Sequence, residues 1–156
     1  MQLSLHADYA CRVLIYLAIE PQASIPKISE AFKISNNHLV KVVHHLGQAG
    51  FIKTTRGKGG GIQLARSAQE ICLGEVIRAM EPNFEMVECF NRAKNTCRIL
   101  PGCGLNHALK AASDAFLSTL DRYALSDVVK DEKFLRRTLL GASASKQRVD
   151  NKGPNL

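Results

Sequence analysis

The alternation of apolar and polar positions predicts a helix at the start of the chain. Residues 7–19 gather Ala10, Val13, Leu14, Leu17 and Ala18 on one broad apolar surface, and Pro21 follows just past its end. Ser24 is placed to cap a second helix, with Pro26 tolerated in its first turn, and Ile25, Ile28 and Phe32 recur at i, i+3 and i+7. Lys33-Ile34-Ser35 is a short connector ending in a good N-cap. Beyond it Leu39, Val42, Val43 and Leu46 make an apolar stripe, with Asn37, Lys41, His44 and Gln48 on the opposite face. Gly50 suits a left-handed helix end.

After Gly50 the period changes. Residues 51–55 favour a strand, Arg56-Gly57-Lys58-Gly59-Gly60-Gly61 reads as a turn, and Ile62-Gln63-Leu64-Ala65 as a second strand. Helical character resumes at 71–80 and Pro82 closes it. Residues 84–104 have no clear period and read as a loop. A long helix over 105–123 carries the stripe Leu105, Leu109, Ala112, Phe116, Leu120 and Tyr123, suited to packing on another helix of the same chain or of a partner. A shorter helix is expected within 125–140, and from Gly141 onward the composition reads as disordered.

Two helices joined by a short turn and followed by a hairpin form a winged helix-turn-helix. The expected fold is therefore mainly α with a small β-hairpin wing. Its expected divisions are a DNA-binding domain over 1–82, a cysteine-bearing loop over 83–104, a dimerisation helix and C-terminal helix over 105–140, and a tail over 141–156.

Charge sharpens this picture. The net charge is +7 over 156 residues. Residues 1–66 hold eight Lys/Arg against three acids, and the remainder thirteen against eleven, so most of the excess lies in the expected DNA-binding half. Asp8, Arg12 and Glu20 interrupt the first apolar stretch, which therefore fits neither a signal peptide nor a membrane span. A cytoplasmic protein is expected.

A recognition helix presents base-reading groups near its N-terminus in the major groove. Ser35, Asn36, Asn37, His38 and Lys41 occupy that end. Asn can bond adenine through two groups, and Lys suits guanine or phosphate. In the wing turn, Arg56 and Lys58 supply attraction while neighbours such as Gly59 let the backbone approach DNA closely. The glycine run is not a nucleotide loop: it lacks the Gly-Lys-Ser/Thr ending, and a strand rather than a helix follows it. A double-stranded DNA operator is the expected partner.

Cys89, Cys97 and Cys103 fall within fifteen residues at C-x7-C-x5-C. Thiolates are soft ligands for iron–sulfur clusters, zinc or copper. Paired zinc-site cysteines are usually two to four residues apart, so this wider spacing favours an iron–sulfur cluster over zinc. Three cysteines leave such a site one ligand short, and His107, Asp8 and His6 are candidates for the fourth. Cys11 and Cys72 read as structural. A thiol oxidoreductase using Cys103 with His107 is the competing class, but the chain has no CxxC pair, and no enzyme is expected.

Several features together resemble the Rrf2 family of iron–sulfur winged-helix regulators, over about residues 1–131. They are Met1-Gln2-Leu3, Asp8-Tyr9, Asn37-His38-Leu39-Val40-Lys41, Gly50, Arg56-Gly57-Lys58, Gly60-Gly61-Ile62, Glu81-Pro82 and the three cysteines. Asp8 and the Asn37–Lys41 run point to the family's nitric-oxide-sensitive repressors. The resemblance implies a homodimer crossing through the helix from Leu105 and a partly palindromic operator. It also implies a [4Fe–4S] rather than [2Fe–2S] cluster on Cys89, Cys97 and Cys103, with Asp8 of the other subunit as fourth ligand. The family's regulator of iron–sulfur biogenesis instead uses a histidine three residues after the last cysteine; here His107 is four residues after Cys103. Other readings within the family are an iron or redox sensor and a zinc-stabilised repressor.

Overall fold

A computed structural model of the chain describes residues 2–57 and 59–141. Met1, Lys58 and nearly all of the expected tail, residues 142–156, lie outside the described residues. The elements run α1 (Leu5–Ile19), α2 (Ile25–Phe32), α3 (Asn36–Gln48), β1 (Ile52–Thr55), β2 (Gly61–Leu64), α4 (Leu73–Met80), α5 (Gly104–Leu120), α6 (Leu125–Val128) and α7 (Glu132–Leu139). The strands pair antiparallel, with Ile52 opposite Leu64 and Thr55 opposite Gly61. This is the mainly helical, winged arrangement that the apolar pattern predicts.

Local chemistry sets the boundaries. α1 starts two residues earlier than its apolar period, because the Ser4 hydroxyl accepts from the Ala7 N–H at 3.2 Å and caps the helix there. Ser24 sits at the N-cap of α2 but makes no side-chain cap bond; Pro26 in the first turn removes one orphan donor. Ser35 caps α3 by accepting from His38 N–H at 3.4 Å. Gly50, at φ 77°, turns the chain out of α3 into β1.

α1 is the centre of the core. Ala7, Ala10, Val13 and Leu14 are fully buried, and α1 meets α2, α3, β2, α4, α6 and α7. Its small residues let α3 come close, and Leu39, Val42 and Leu46 of α3 fill the other side of that seam.

The C-terminal segment returns to this core. The expected single helix over 125–140 is two helices, parted at 129–131, where Asp131 caps α7 by accepting from Phe134 N–H at 3.0 Å. Leu125 and Leu139 are buried, and the Leu125 N–H donates to Ile71 O at 2.8 Å. Arg136 of α7 donates to the carbonyl of Ile19 and pairs with Glu20 at 3.7 Å.

α5 is different. Among its described residues only Ser113 is buried. Phe116, Leu117 and Leu120 rest on the core, while Leu105 is 65% exposed. The end of α5 is pinned by Asp121, whose carboxylate takes both guanidinium donors of Arg78 at 2.5 and 2.7 Å. These bonds hold Asp121 below the usual carboxylate range. A Cβ on Gly74 would meet Asp121 Oδ1, so a side chain there would push that carboxylate out of its present position against Arg78. No helix among the described residues is long and apolar enough to cross a membrane.

Because α1 carries the core, Leu14→Ala is expected to lower unfolding free energy by about 2–5 kcal/mol, the range for buried leucine truncation. Chemical denaturation followed by circular dichroism measures it.

Candidate DNA interface and cysteine loop

α3 lies on the core through Leu39, Val42, Val43 and Leu46 and turns its other face outward. Ser35, Asn36, Asn37, His38 and Lys41 are all exposed at its N-terminal end, and His44 and Gln48 continue the same face. The free N–H groups of this helix end add a positive dipole to Lys41. Arg56 and Gly59 are exposed in the wing turn. Gly57 and Gly59 hold φ values of 99° and 85°, which residues with side chains rarely adopt. A side chain on Gly60 would collide with Thr55 O. The DNA-reading candidates of the sequence, Lys58 apart, are thus all exposed.

Behind this surface α1 bonds directly to α3. His6 Nε2 and His45 Nδ1 are 2.9 Å apart, one donating and the other accepting. Burial lowers the His6 pKa and His45 lowers it further, while nearby Glu81 opposes the shift. Glu81 in turn accepts from the Ser4 N–H at 2.7 Å, tying the start of α1 to the end of α4. One turn further along, the Tyr9 and His38 rings have centroids 6.1 Å apart. Asp8 lies between these two contacts. Its carboxylate takes Arg12 Nε at 3.1 Å and Arg12 Nη2 at 2.7 Å, and the Arg12 guanidinium lies over the Tyr9 ring.

The loop after α4 contains two short 3₁₀ turns, Glu88–Phe90 and Leu100–Gly102. Cys89 is in the first, and Cys103 follows the second as the N-cap residue of α5. Cys97 stands between them, its N–H held by Asn95 Oδ1 at 3.2 Å. All three thiols are free and half-buried. Glu88 shapes the loop: one carboxylate oxygen accepts from both the N–H and the hydroxyl of Thr96, at 2.7 and 2.8 Å. Those bonds lower the Glu88 pKa. Beside the loop a cleft of about 530 Å³ is lined by Cys89, Arg92, Pro101, Asn106, His107 and Lys110 among others.

Among the described residues no three His, Cys, Asp or Glu side chains converge as a ready site for a single ion. The donor set nevertheless suits a cluster: three unpaired soft thiols on one loop, of which Cys89 lines a cleft larger than an ion. His107 lines that cleft. Within one chain the carboxylate partner of Asp8 is Arg12.

Some contributors escape sequence reasoning. Asn106, three residues after Cys103, donates to Cys89 Sγ at 3.1 Å; its spacing from the cysteine is the one available signal. Glu88, His45 and Glu81 carry no motif, and their roles arise from tertiary contact.

The Rrf2 family model, described as an iron-dependent transcriptional regulator, matches residues 3–131. The chain is 46% identical over 142 residues to the HTH-type transcriptional regulator NsrR of Bacillus subtilis (strain 168), covering 89% of this chain and 97% of that protein. It is 44% identical to the regulator of the same name from Shouchella clausii (strain KSM-K16), covering 89% and 95%. Among solved structures, CymR (YrzC), the global cysteine regulator of B. subtilis, superposes with a TM-score of 0.67 at 25% identity, covering 83% of this chain and 97% of that one. T. potens IscR gives the same TM-score at 24% identity, covering 84% and 88%, a likeness of fold.

Cys11 stands apart from the three loop thiols. Burial, with the Asp8 carboxylate nearby, pushes it up to about 11. Since the thiolate is the reactive form, Cys11 alkylation by iodoacetamide should be very slow at neutral pH and rise about tenfold per pH unit towards that value. Peptide mass spectrometry of the metal-free protein measures this, and fast labelling of Cys11 at pH 7 contradicts it.

Proposed function

The chain belongs to the Rrf2 family of transcriptional regulators, and on that premise we propose that it is a repressor whose grip on DNA depends on an iron–sulfur cluster sensitive to nitric oxide. The observation that carries this reading is the bonded seam between α1 and α3: Asp8 sits on α1 between His6 and Tyr9, which contact His45 and His38 of the recognition helix.

In this reading the chain acts as a homodimer through α5 in the cytoplasm and has no enzymatic role. Two recognition helices then enter successive major grooves about 34–36 Å apart on a partly palindromic operator. Asn37 and Lys41 read base edges, Ser35, Asn36 and His38 set the helix end against the backbone, and Arg56 and Lys58 of the wing reach phosphates beside Gly59.

The thiolates of Cys89, Cys97 and Cys103 would hold the cluster, [4Fe–4S] rather than [2Fe–2S], and the partner subunit's Asp8 would complete it. When bound, such a cluster supplies iron to which nitric oxide can bind. Asn106 lowers the charge density on Cys89 by donating to its sulfur, and Glu88 holds the loop in shape. Asp8 has two uses that exclude each other: it can ligate across the dimer or pair with Arg12 in its own chain. A carboxylate is a harder and weaker iron ligand than thiolate or imidazole, so the exchange costs little. Each use sets the first turn of α1 differently, and α3 follows because His6 and Tyr9 hold it.

A fourth ligand at His107 is the alternative, because that ring lines the cysteine cleft. It would move the protein towards the family's cluster-biogenesis regulators. Operator binding by anaerobic mobility shift, before and after nitric oxide, separates the two. Asp8→Ala should fold and dimerise but lose the dependence of operator affinity on nitric oxide, whereas His107→Ala should switch as wild type does. The reverse pattern would transfer the role to His107. Cys97→Ala should carry no iron or acid-labile sulfide, and an intact cluster in that variant removes the ligand assignment.

A further inference from the structure

The wing is a hairpin of four residues a side. A two-stranded ribbon of that size is marginal by itself, and its turn contains glycines at positive φ with wide backbone freedom. Something outside the hairpin must fix where the turn points. Two attachments come from the corner between α1 and α2.

The first is backbone pairing. Ala23 N–H donates to Ile62 O at 3.1 Å, and Ile62 N–H donates to Ala23 O at 2.8 Å, which adds a third strand position beside β2. A Cβ on Gly61 would stand 2.9 Å from Ala23 O, so the approach needs glycine there. The second is a relay of two amides. Gln63 Nε2 donates to Gln22 Oε1 at 3.1 Å, and Gln22 Nε2 donates to the carbonyl of Gly59 at 2.5 Å. Backbone pairing holds β2 at Ile62, while the relay reaches the turn itself at Gly59.

We propose that Gln22 is a positioning residue for DNA binding: its amide grips the wing turn at Gly59 and thereby sets where Arg56 meets the phosphate backbone. The chemistry suits an amide, whose oxygen at position 22 accepts from Gln63 while its nitrogen donates to a carbonyl. Gln63 orients that amide by occupying its oxygen, leaving the nitrogen to face Gly59. The anchor is firm because the corner hangs from buried Ile19 and Ala23. Gln22 itself carries no charge and reads no base, and sequence patterns give it no role. The proposal rests on the reading that Arg56 contacts DNA.

The probe is a duplex selected by the wild-type chain from random-sequence DNA, with affinity measured by fluorescence anisotropy across about 50 to 200 mM salt. Gln22→Ala should weaken binding about five- to tenfold and lower the slope of log affinity against log salt by about 0.9, the equivalent of one phosphate contact. Selected sequence and thermal midpoint should stay as in wild type, because α3 and the core are untouched. Gln63→Ala should fall between the two. Arg56→Ala should cost affinity in the wild-type chain and almost none in Gln22→Ala, which a merely structural role for Gln22 would not produce. An unchanged slope in Gln22→Ala overturns the proposal, as does an Arg56→Ala cost that is equal in both backgrounds. If Arg56→Ala is silent in the wild-type chain, the wing's assignment to DNA fails and this proposal with it.

Discussion

The buried face of α1 is the constraint on which the rest of the molecule depends. Ala7, Ala10, Val13, Leu14 and Leu17 are 0–2% exposed, and six other elements pack on or against the helix that carries them. Burial on this scale, at about 25 cal/mol per Å² of apolar surface, makes α1 stiff, because a close-packed core has few alternative arrangements. A stiff helix at the centre of a small domain moves as a unit. Whatever displaces one end of it must shift α3 or break the packing between them.

That property gives the placement of Asp8 its meaning. Asp8 lies on the exposed side of the same turn whose inner side holds Ala7, and its neighbours His6 and Tyr9 touch the recognition helix. In the proposed mechanism a ligand position on a loop could change hands without consequence for α3, whereas one on the first turn of α1 could not. The C-terminal helices strengthen the arrangement from the opposite end: α7 reaches the last carbonyl of α1, that of Ile19, through Arg136, and Leu125 and Leu139 close the core. α5 is held to this body by Phe116, Leu117 and Leu120 and by the Arg78–Asp121 pair beyond its end, and is otherwise largely exposed.

Much of this was legible in the sequence. The apolar periods of α1 and α3, the caps at Ser35 and Gly50, the change to strand period at Phe51 and the clustered cysteines each follow from local rules, and local rules are what a sequence displays. The boundaries that slipped have nonlocal or side-chain causes. α1 begins at Leu5 because Ser4 caps it, and the segment after Leu125 splits because Asp131 starts a new helix. What could not be read is the set of residues defined by a distant partner: His45 by His6, Glu81 by Ser4, Asn106 by Cys89, Gln22 by Gly59. Each is an unremarkable polar residue until the fold brings its partner within hydrogen-bond reach. The three cysteines are the converse case, and their metal role belongs to the proposed function. Their type and spacing announce soft-metal chemistry before any geometry is known, and the fold adds the cleft beside Cys89 and the amide that faces its sulfur.

In the proposed mechanism the state of the cysteine loop reaches DNA mechanically, through the seam between α1 and α3. His45→Ala combined with Tyr9→Ala removes both side-chain contacts of that seam without touching any proposed ligand. The decisive measurement is the ratio of operator affinities with and without iron for this variant, taken alongside its iron and sulfide content. Normal iron loading and a ratio that falls towards one are expected of a signal carried by that seam. Normal loading with the full wild-type ratio would contradict it, because the signal would then be reaching the recognition helix by another route.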